Sequence, residues 1–358
     1  MAINMSPVKI WSVLLCALVS GCSLQQHTDR AERSWLSANS LSAELHSVSL
    51  ATEASSSPEP ANNNARNLFL VATGASTYLQ GQIESRDINE LSGIAPVLGL
   101  RDKYWAINDS GNRPQLFAVN GIGKHFGSVD IPVPNRDWED LATFEIDGEK
   151  WVAIAETGDN LRRLAVSSIY FFKQPDIKDL PKRLALRYQL DFSYEDGPQN
   201  VESVSVSARE GKIYLISKDK TASIYTLSLP DFTNDSVSST QVAGKAGQLA
   251  ELRSTSDDAW WERTFAGSLL LTPTGLDFST DDRVAVVSNY RHVYLFSRSG
   301  DESWAVALSR SPKILTSHRM EQSESVAFSA DAREVIVSSE GVNAPLLTIR
   351  PSAAAAKL

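Results

Sequence analysis

From about residue 68 onward, short apolar runs alternate with Gly, Asp, Asn, Ser and Pro, and no run carries the 3.6-residue period of a long helix. The best helix candidate, residues 175–186, is short and is interrupted by Pro181. An interior proline removes a helical hydrogen bond and clashes with the preceding turn. The pattern therefore predicts an all-β domain, which is first searched for internal repeats.

Five short segments share one pattern: a polar or acidic residue, a small or acidic residue, an aliphatic residue, and then a small residue or Asp. They are Ser92-Gly-Ile-Ala95, Glu139-Asp-Leu-Ala142, Glu202-Ser-Val-Ser205, Thr274-Gly-Leu-Asp277 and Glu324-Ser-Val-Ala327. A second apolar run follows each segment after a turn, at residues 104–108, 151–155, 213–217, 284–288 and 335–339. A third run often comes next. The five segments begin 47, 63, 72 and 50 residues apart.

Units of about 40–50 residues with up to four strands are typical of a β-propeller. Five units are visible, and a sixth blade around residues 248–271 would also fit the length. Candidate strands at residues 68–72 and 82–85 would complete the last blade and join the chain ends. We therefore predict a propeller of five or six four-stranded blades over residues 67–358. An antiparallel sandwich is the alternative, because strand patterns alone do not settle how a sheet closes.

The N-terminus has the features of a bacterial export signal. Lys9 precedes an apolar run at residues 10–19 that is too short to span a bilayer. Val19-Ser-Gly-Cys22 resembles the lipobox of bacterial lipoproteins, which predicts a signal peptide over residues 1–21 and lipidation of Cys22. An ordinary signal peptide with an incidental cysteine is the alternative. Ser23 after the cysteine favours, by resemblance to known sorting rules, anchoring in the outer membrane facing the periplasm.

Residues 22–66 differ in composition from the rest of the chain. They are rich in Ser, Ala, Asn and Gln, and Ser55-Ser-Ser-Pro-Glu-Pro-Ala-Asn-Asn-Asn64 is their least structured part. Such a sequence buries too little apolar surface to offset the entropy of ordering it. We interpret this segment as a disordered, flexible tether between the lipid anchor and the propeller.

Charge and cysteine content narrow the possible partners. The formal net charge is −9, and it becomes −10 when Lys9 leaves with the signal. This acidity disfavours nucleic acid as a partner and suits a cation or a basic ligand. Cys16 and Cys22 are the two cysteines, and Cys16 lies within the signal, so the mature domain is expected to have no disulfide. We expect a monomer.

The repeat predicts where the acidic residues meet. In a propeller the first strand of each blade lines the central channel, and the second runs antiparallel to it. The start of the first strand therefore lies beside the end of the second. The start positions include Glu139, Glu202 and Glu324, with Asp140 next to the first, and the end positions include Asp109, Asp159 and Asn289. Clustered oxygen ligands of this kind suit Ca²⁺ or Mg²⁺; the alternative is that each residue is a solvated strand end.

These motifs also resemble a known group of proteins. The segments Leu91-Ser-Gly-Ile-Ala, Asp137-Trp-Glu-Asp-Leu-Ala, Gly158-Asp-Asn, Val201-Glu-Ser-Val and Ser323-Glu-Ser-Val-Ala-Phe are similar to those of bacterial secreted propellers. These are related in general form to the gluconolactonase/regucalcin and esterase-like phytase propellers. The resemblance covers about residues 89–351. In the gluconolactonase group a Glu that opens one blade and Asn or Asp residues from other blades hold a divalent cation, and Glu139 or Glu202 with Asn289 would be the matching types.

Two functions stay open at this point. The first is a lipid-anchored envelope propeller that binds a protein or glycan partner through the acidic channel mouth. The second is a divalent-cation-dependent hydrolase of an ester, a lactone or a phosphoester. In that case the metal would polarise the substrate or activate water, and Glu139 or Glu202 would act as the base. The binding module is the preferred interpretation, because propellers host many unrelated functions.

Overall fold

A computed structural model describes residue 69 and residues 74–233, 237–255 and 267–351 of the 358 residues. This part of the chain is nearly all β-sheet, with twenty strands, one short α-helix and one 3-10 helix. The expected signal peptide (1–21), Cys22 and the tether (22–66) lie outside the described residues. None of the helices in the described ranges has the length and hydrophobicity to cross a membrane.

Within the described ranges the strands form five four-stranded blades. Blade 1 contains β2 (Leu91–Pro96), β3 (Tyr104–Asn108), β4 (Gln115–Val119) and β5 (His125–Asp130). Blade 2 contains β6 (Trp138–Ile146), β7 (Glu149–Glu156), β8 (Ser167–Lys173) and β9 (Tyr188–Tyr194). Blade 3 contains β10 (Val201–Ser207), β11 (Lys212–Ser217), β12 (Ser223–Ser228) and β13 (Ser238–Gln248). Blade 4 contains β14 (Gly275–Phe278), β15 (Val284–Ser288), β16 (His292–Ser297) and β17 (Lys313–Ser317). Blade 5 contains β18 (Ser325–Phe328), β19 (Val335–Ser338), β20 (Pro345–Pro351) and β1 (Ala75–Gln82). The 3-10 helix Gly267–Leu271 precedes β14, and helix α1 (Trp304–Leu308) lies between β16 and β17.

The ring closes by joining the two ends of the domain. Strand β1 pairs antiparallel with β20, with Thr77 opposite Ile349. This confirms that a strand before the first unit completes the last blade. That strand is β1, which overlaps the candidate at 82–85 only at Gln82, and the candidate at 68–72 lies, apart from residue 69, outside the described residues. The first strands contact each other in the cyclic order β2, β6, β10, β14, β18 and back to β2. Because β10 contacts β14 directly, no sixth blade separates them: the described strands form a propeller of five blades, and the sandwich alternative is wrong.

The hydrophobic core is divided among the five interfaces between neighbouring blades. One buried cluster lies at each interface, and the large aromatic side chains of Trp105, Trp138 and Trp304 are fully buried in them. The first strands are covered by neighbours on both faces, so a strand such as β10 is buried at every position. The outer strand β9 instead alternates buried and partly exposed residues.

Blades 2 and 3 are also joined at their outer edges. The first half of β13 pairs in parallel with β9, with Ser238 opposite Gln189, and its second half pairs antiparallel with β12. The two blades therefore form one eight-stranded sheet. This pairing covers two edge strands that would otherwise expose unpaired backbone groups.

Candidate functional site

The channel mouth, defined as the face where the first strand of each blade begins, carries a structural irregularity repeated in three blades. In blades 1, 2 and 3 the pairing of the first two strands skips one residue, so that Ser92, Glu139 and Glu202 are extra residues in β-bulges. A bulge breaks the alternation of a strand and redirects the side chain it carries. Glu139 and Glu202 are both buried. The shared register seen in the sequence thus corresponds to one shared backbone feature.

Three carboxylates meet at this face between blades 1 and 2, and we call them the acid triad. Asp109 follows β3, Asp137 precedes β6, and Glu139 occupies the bulge of β6. Each offers an oxygen, and these oxygens all lie within 4.8 Å of one another. Glu139 is only 6% exposed, and its carboxylate accepts no hydrogen bond from the described part of the protein. The carboxylate oxygens of Glu139 are not fully enclosed, so water or a bound cation can supply the partner that the described part of the protein does not.

The electrostatics of the acid triad are unfavourable without a cation. Burial raises the pKa of Asp109 to about 8, and repulsion from Asp137, Glu324 and Glu202 adds to the effect. Burial also raises the pKa of Glu139 well above its usual range, with repulsion from Glu202, Asp109 and Asp137. Burial raises the pKa of Asp137 as well. Such a cluster is compensated by protons or by a bound cation.

Asn135 holds the two halves of the acid triad together. Its side-chain amide donates to the backbone carbonyls of Asn108 and Asp109, at 2.9 Å each. Its side-chain oxygen accepts the backbone N–H of Trp138 at 3.1 Å. One side chain therefore ties the end of β3 to the start of β6. Glu156 supports the same segment, because it accepts the N–H of Asp137 at 2.7 Å.

The loop after β7 lies directly against the acid triad. A Cβ atom added to Gly158 would lie 2.2 Å from Glu139 Oε1 and 2.4 Å from Asp137 Oδ2, so only glycine fits here without displacing the carboxylates. Asp159 comes next and turns away into the loop. Its side chain accepts the N–H of Leu164 at 2.7 Å, and its own N–H donates to Asn200 at 2.8 Å.

The other side of the mouth holds two glutamates with a cation of the protein's own. The Lys218 ammonium group forms ion pairs with Glu202 and with Glu324, the latter at 3.5 Å. The Tyr290 hydroxyl donates to Glu324 at 2.7 Å. Burial raises the pKa of Glu202 to about 7, although Lys218 opposes the shift. Burial also raises the pKa of the neighbouring Glu340 to about 10, with repulsion from Glu324.

Two of the sequence-predicted ligands have structural roles and do not join the acid triad. Asp140 accepts the backbone N–H groups of Leu141 at 2.8 Å and Val204 at 2.9 Å, and it links β6 to β10 inside the channel. Asn289 accepts the N–H of His292 at 2.7 Å and donates to the Tyr294 hydroxyl at 3.2 Å. Their oxygens are already committed to the fold.

Sequence reasoning placed Glu139 and Asp109 among the candidate ligands but left out Asp137, Asn135 and Tyr290. Asp137 lies two residues before Glu139, and a signal for it was present in the acidic stretch 135–142. Tyr290 lies two residues beyond β15, close to the positions that Asp109 and Lys218 occupy after β3 and β11. The same end-of-strand comparison would have found it.

Comparisons with known proteins add little about function. No family model matches the chain, and no curated protein matches it. Among solved structures, the soluble aldose sugar dehydrogenase of Escherichia coli in its apo-form superposes with a TM-score of 0.44 at 10% sequence identity. The match covers 78% of this chain and 100% of that chain. A likeness at this level carries no functional argument, so the resemblance to gluconolactonase, regucalcin and esterase-like phytase propellers stays a prediction.

Proposed function

We propose that this propeller binds a divalent cation at the acid triad and presents it at the channel mouth as a binding module. The observation that carries the proposal is the position of Glu139. Its buried carboxylate has no hydrogen-bond donor in the described ranges and lies with Asp109 and Asp137 around one point. Three acidic oxygens with no fixed positive charge among them form an arrangement that a hard cation stabilises.

We propose Ca²⁺ as the cation, because it accepts carboxylate oxygens in flexible geometry, whereas Mg²⁺ demands near-ideal octahedral geometry. The triad oxygens lie within 4.8 Å of one another, close enough to bind one ion together. Ca²⁺ takes about six to eight oxygen ligands. Three carboxylates therefore leave positions open for an oxygen-bearing partner such as a protein carboxylate or a glycan hydroxyl.

A calcium titration followed by melting temperature tests the proposal. The melting temperature of the wild-type protein should rise with Ca²⁺, because a ligand that binds only the folded state stabilises it. Glu139→Gln should remove most of that rise. Glu145→Gln is the matched control, because Glu145 lies on the same strand but is exposed, and it should leave the rise unchanged. The absence of any shift in the wild type with Ca²⁺ or Mg²⁺ would exclude the proposal.

A second candidate function, cation-dependent hydrolysis of an ester, lactone or phosphoester, is favoured by one observation. The pKa of Glu202 lies at about 7, where a carboxyl group is suited to act as a general base. A cation bound at the triad would polarise the substrate oxygen. Glu202 would then accept the proton of the attacking water, while Lys218 holds its carboxylate in place.

Activity measurements separate this candidate from the binding module. Hydrolysis of p-nitrophenyl acetate, a gluconolactone and p-nitrophenyl phosphate is measured with Ca²⁺ and with EGTA. A hydrolase should lose about 10²-fold or more of its rate in Glu202→Gln while retaining its calcium affinity. If no substrate turns over faster than in buffer, the binding module is the better account.

We also propose that the chain is anchored through Cys22 in the bacterial outer membrane, facing the periplasm, and that the propeller is monomeric. The support is the lipobox-like Val19-Ser-Gly-Cys22 followed by Ser23. Cys22→Ser should move the protein from the membrane fraction to the soluble fraction. Mass spectrometry of the mature N-terminus gives an independent test of acylation.

A further inference from the structure

The loop that leaves the acid triad presents apolar side chains to solvent. We call residues 159–166 the mouth lip. Leu161 is 53% exposed, Leu164 is 42% exposed and Val166 is 48% exposed. A single exposed apolar residue is common on protein surfaces, whereas three within six residues form a local patch.

The mouth lip is held in place by specific contacts. Asp159 accepts the N–H groups of Leu164 and Arg162, through its side chain and its carbonyl respectively. The Arg162 guanidinium forms an ion pair with Asp219 of blade 3. Arg162 also has a positive φ of 51°, which costs free energy for a residue with a side chain. The loop is thus built to keep its shape, with its apolar side chains outside.

The position of the mouth lip relates it to the acidic mouth. At its start, Gly158 lies against Glu139 and Asp137. Further along the mouth lip, the Arg162 guanidinium forms an ion pair with Asp219. Lys218, the residue before Asp219, forms an ion pair with Glu202. The loop that carries the apolar residues therefore runs along the rim from the acid triad towards Glu202. Arg163 is exposed between them and has no ion-pair partner in the part of the chain that the structure describes.

We propose that the mouth binds an amphipathic ligand whose anionic oxygen head group binds the triad cation and whose alkyl chain lies on the mouth lip. This inference rests on the proposed cation site. Without a cation the acid triad repels an anion. With the cation bound, the head group meets positive charge. The alkyl chain then covers apolar side chains that water otherwise surrounds.

Matched ligands with and without an alkyl chain test the inference. Octanoate and acetate form one pair, and octyl phosphate and inorganic phosphate form the other. Each is titrated calorimetrically into the wild-type protein with Ca²⁺ and with EGTA. Burying two methylene groups gains about tenfold in affinity, so both alkyl ligands should bind at least about tenfold more tightly than their partners, and only with Ca²⁺. Binding by one head group alone identifies the ligand as a carboxylate or a phosphate.

A variant with Leu161→Ser, Leu164→Ser and Val166→Ser should lose the gain from the alkyl chain and keep its Ca²⁺ affinity. The matched control carries Ile122→Ser, Val242→Ser and Val306→Ser, which are 49%, 61% and 51% exposed away from the mouth, and it should retain the gain. The inference is overturned if the chain gives no gain, if the gain survives in the lip variant, or if it is the same in EGTA. It is also overturned if sedimentation shows a dimer that the lip variant abolishes. Absence of the cation site itself would be detected separately, as a Ca²⁺ titration of the wild-type protein that gives no shift in melting temperature.

Discussion

Two of the acidic clusters in the described residues differ in how their negative charge is balanced. On the face opposite the mouth, Glu210 of blade 3 and Asp282 of blade 4 lie on either side of Arg298, which forms ion pairs with both. Ser207 donates to Asp282 at 2.8 Å, and the indole of Trp304 donates to the same carboxylate at 2.7 Å. We call these five residues the inter-blade clamp. Its acids have a cation and hydrogen-bond donors supplied by the protein itself.

The acid triad has hydrogen-bond donors but no cation: Asp109 accepts the N–H of Ser110, and Asp137 is hydrogen-bonded to the side chains of Ser110 and Asp109. Asp109, Asp137 and Glu139 are brought together by bulges and loops, but no lysine or arginine of the described ranges pairs with them. A buried acid with its own partner stabilises the fold against a desolvation cost, whereas a buried acid without one reduces stability until something binds. The comparison teaches that acid content alone does not identify a site. A candidate cation site is identified by acids that lack a positively charged partner within the protein.

Breaking the clamp should give the largest effect on stability. The Arg298 side chain is 2% exposed, so Arg298→Met leaves two buried acids without their cation. We expect a loss of about 3–5 kcal/mol in the free energy of unfolding, measured by urea denaturation, with unchanged Ca²⁺ affinity. The control is Arg209→Met, which removes the exposed ion pair to Asp301 and should cost less than about 1 kcal/mol. Equal losses in the two variants would contradict a structural role for the clamp.

Removing Lys218 should convert the other half of the mouth into a second acid cluster. Lys218→Met leaves Glu202 and Glu324 without their cation, and the loss of stability should be about 2–3 kcal/mol, since the lysine side chain is 18% exposed. Ca²⁺ should restore part of this loss, and the number of ions bound per chain should rise from one to two. The stoichiometry is measured by calorimetry. An unchanged stoichiometry would mean that a missing countercharge is not sufficient to create a cation site.

The repeated arrangement of strands could be predicted from the sequence because burial on both faces fixes it. Segments such as those beginning at Ser92 and Glu324 share polar starts and apolar continuations, which identify the inner strands. The number of blades depended on residues 248–271, whose spacing alone allowed an extra blade. The direct packing of β10 against β14 settled it. The closing strand β1 was misplaced because its exposed residues give a weak apolar pattern.

The acid triad could be predicted only in part, because a β-bulge leaves no mark in the apolar pattern. Regular alternation puts Asp137 and Glu139 on one side of the strand and Asp140 on the other, but it does not show that Glu139 is an extra residue in the pairing or that Asp109 of blade 1 meets it. The bulge at Glu139 changes the pairing at that point, and Asp140 takes its place in the channel. Asn135 was invisible for another reason. Its role consists of bonds to carbonyls of another blade, and backbone carbonyls have no sequence signature.

Loosening the acid triad without removing an acid should weaken the cation site moderately. Asn135→Ala removes the link between the end of β3 and the start of β6. Residues that orient metal ligands typically contribute about 10- to 100-fold to affinity, and we expect about a tenfold weaker Ca²⁺ affinity by calorimetry. Asn120→Ala is the control, because Asn120 accepts the N–H of Lys124 in a turn of blade 1. It should lower the melting temperature and leave Ca²⁺ affinity unchanged; a similar loss of affinity in both variants would argue against a positioning role.

The smallest effect is a pH dependence that Ca²⁺ removes. The pKa of Asp109 is about 8 in the folded protein, against about 3.8 for an ordinary aspartate. Between these values the folded state holds a proton that the unfolded chain has released. The stabilisation that this bound proton gives to the folded state is complete below about pH 4 and is lost as the pH rises through 8. In EGTA, the free energy of unfolding should therefore fall from pH 5 to pH 9. The two pKa values set an upper limit of about 4 kcal/mol, and the partial exposure of Asp109 keeps the fall well below it.

With Ca²⁺ the same rise in pH frees the carboxylates for the cation, so calcium affinity should increase from pH 5 to pH 9 and the fall in stability should shrink. The part of the pH dependence of stability that Ca²⁺ removes is caused by the acids of the mouth, because the clamp acids are already paired with Arg298. Asp109→Asn should flatten the EGTA profile and abolish the difference between the two profiles. If Ca²⁺ left the pH profile of wild-type stability unchanged, protons and Ca²⁺ would not compete for the same oxygens. The mouth would then differ from the clamp in its charge balance, but this difference would not give it a cation-binding function.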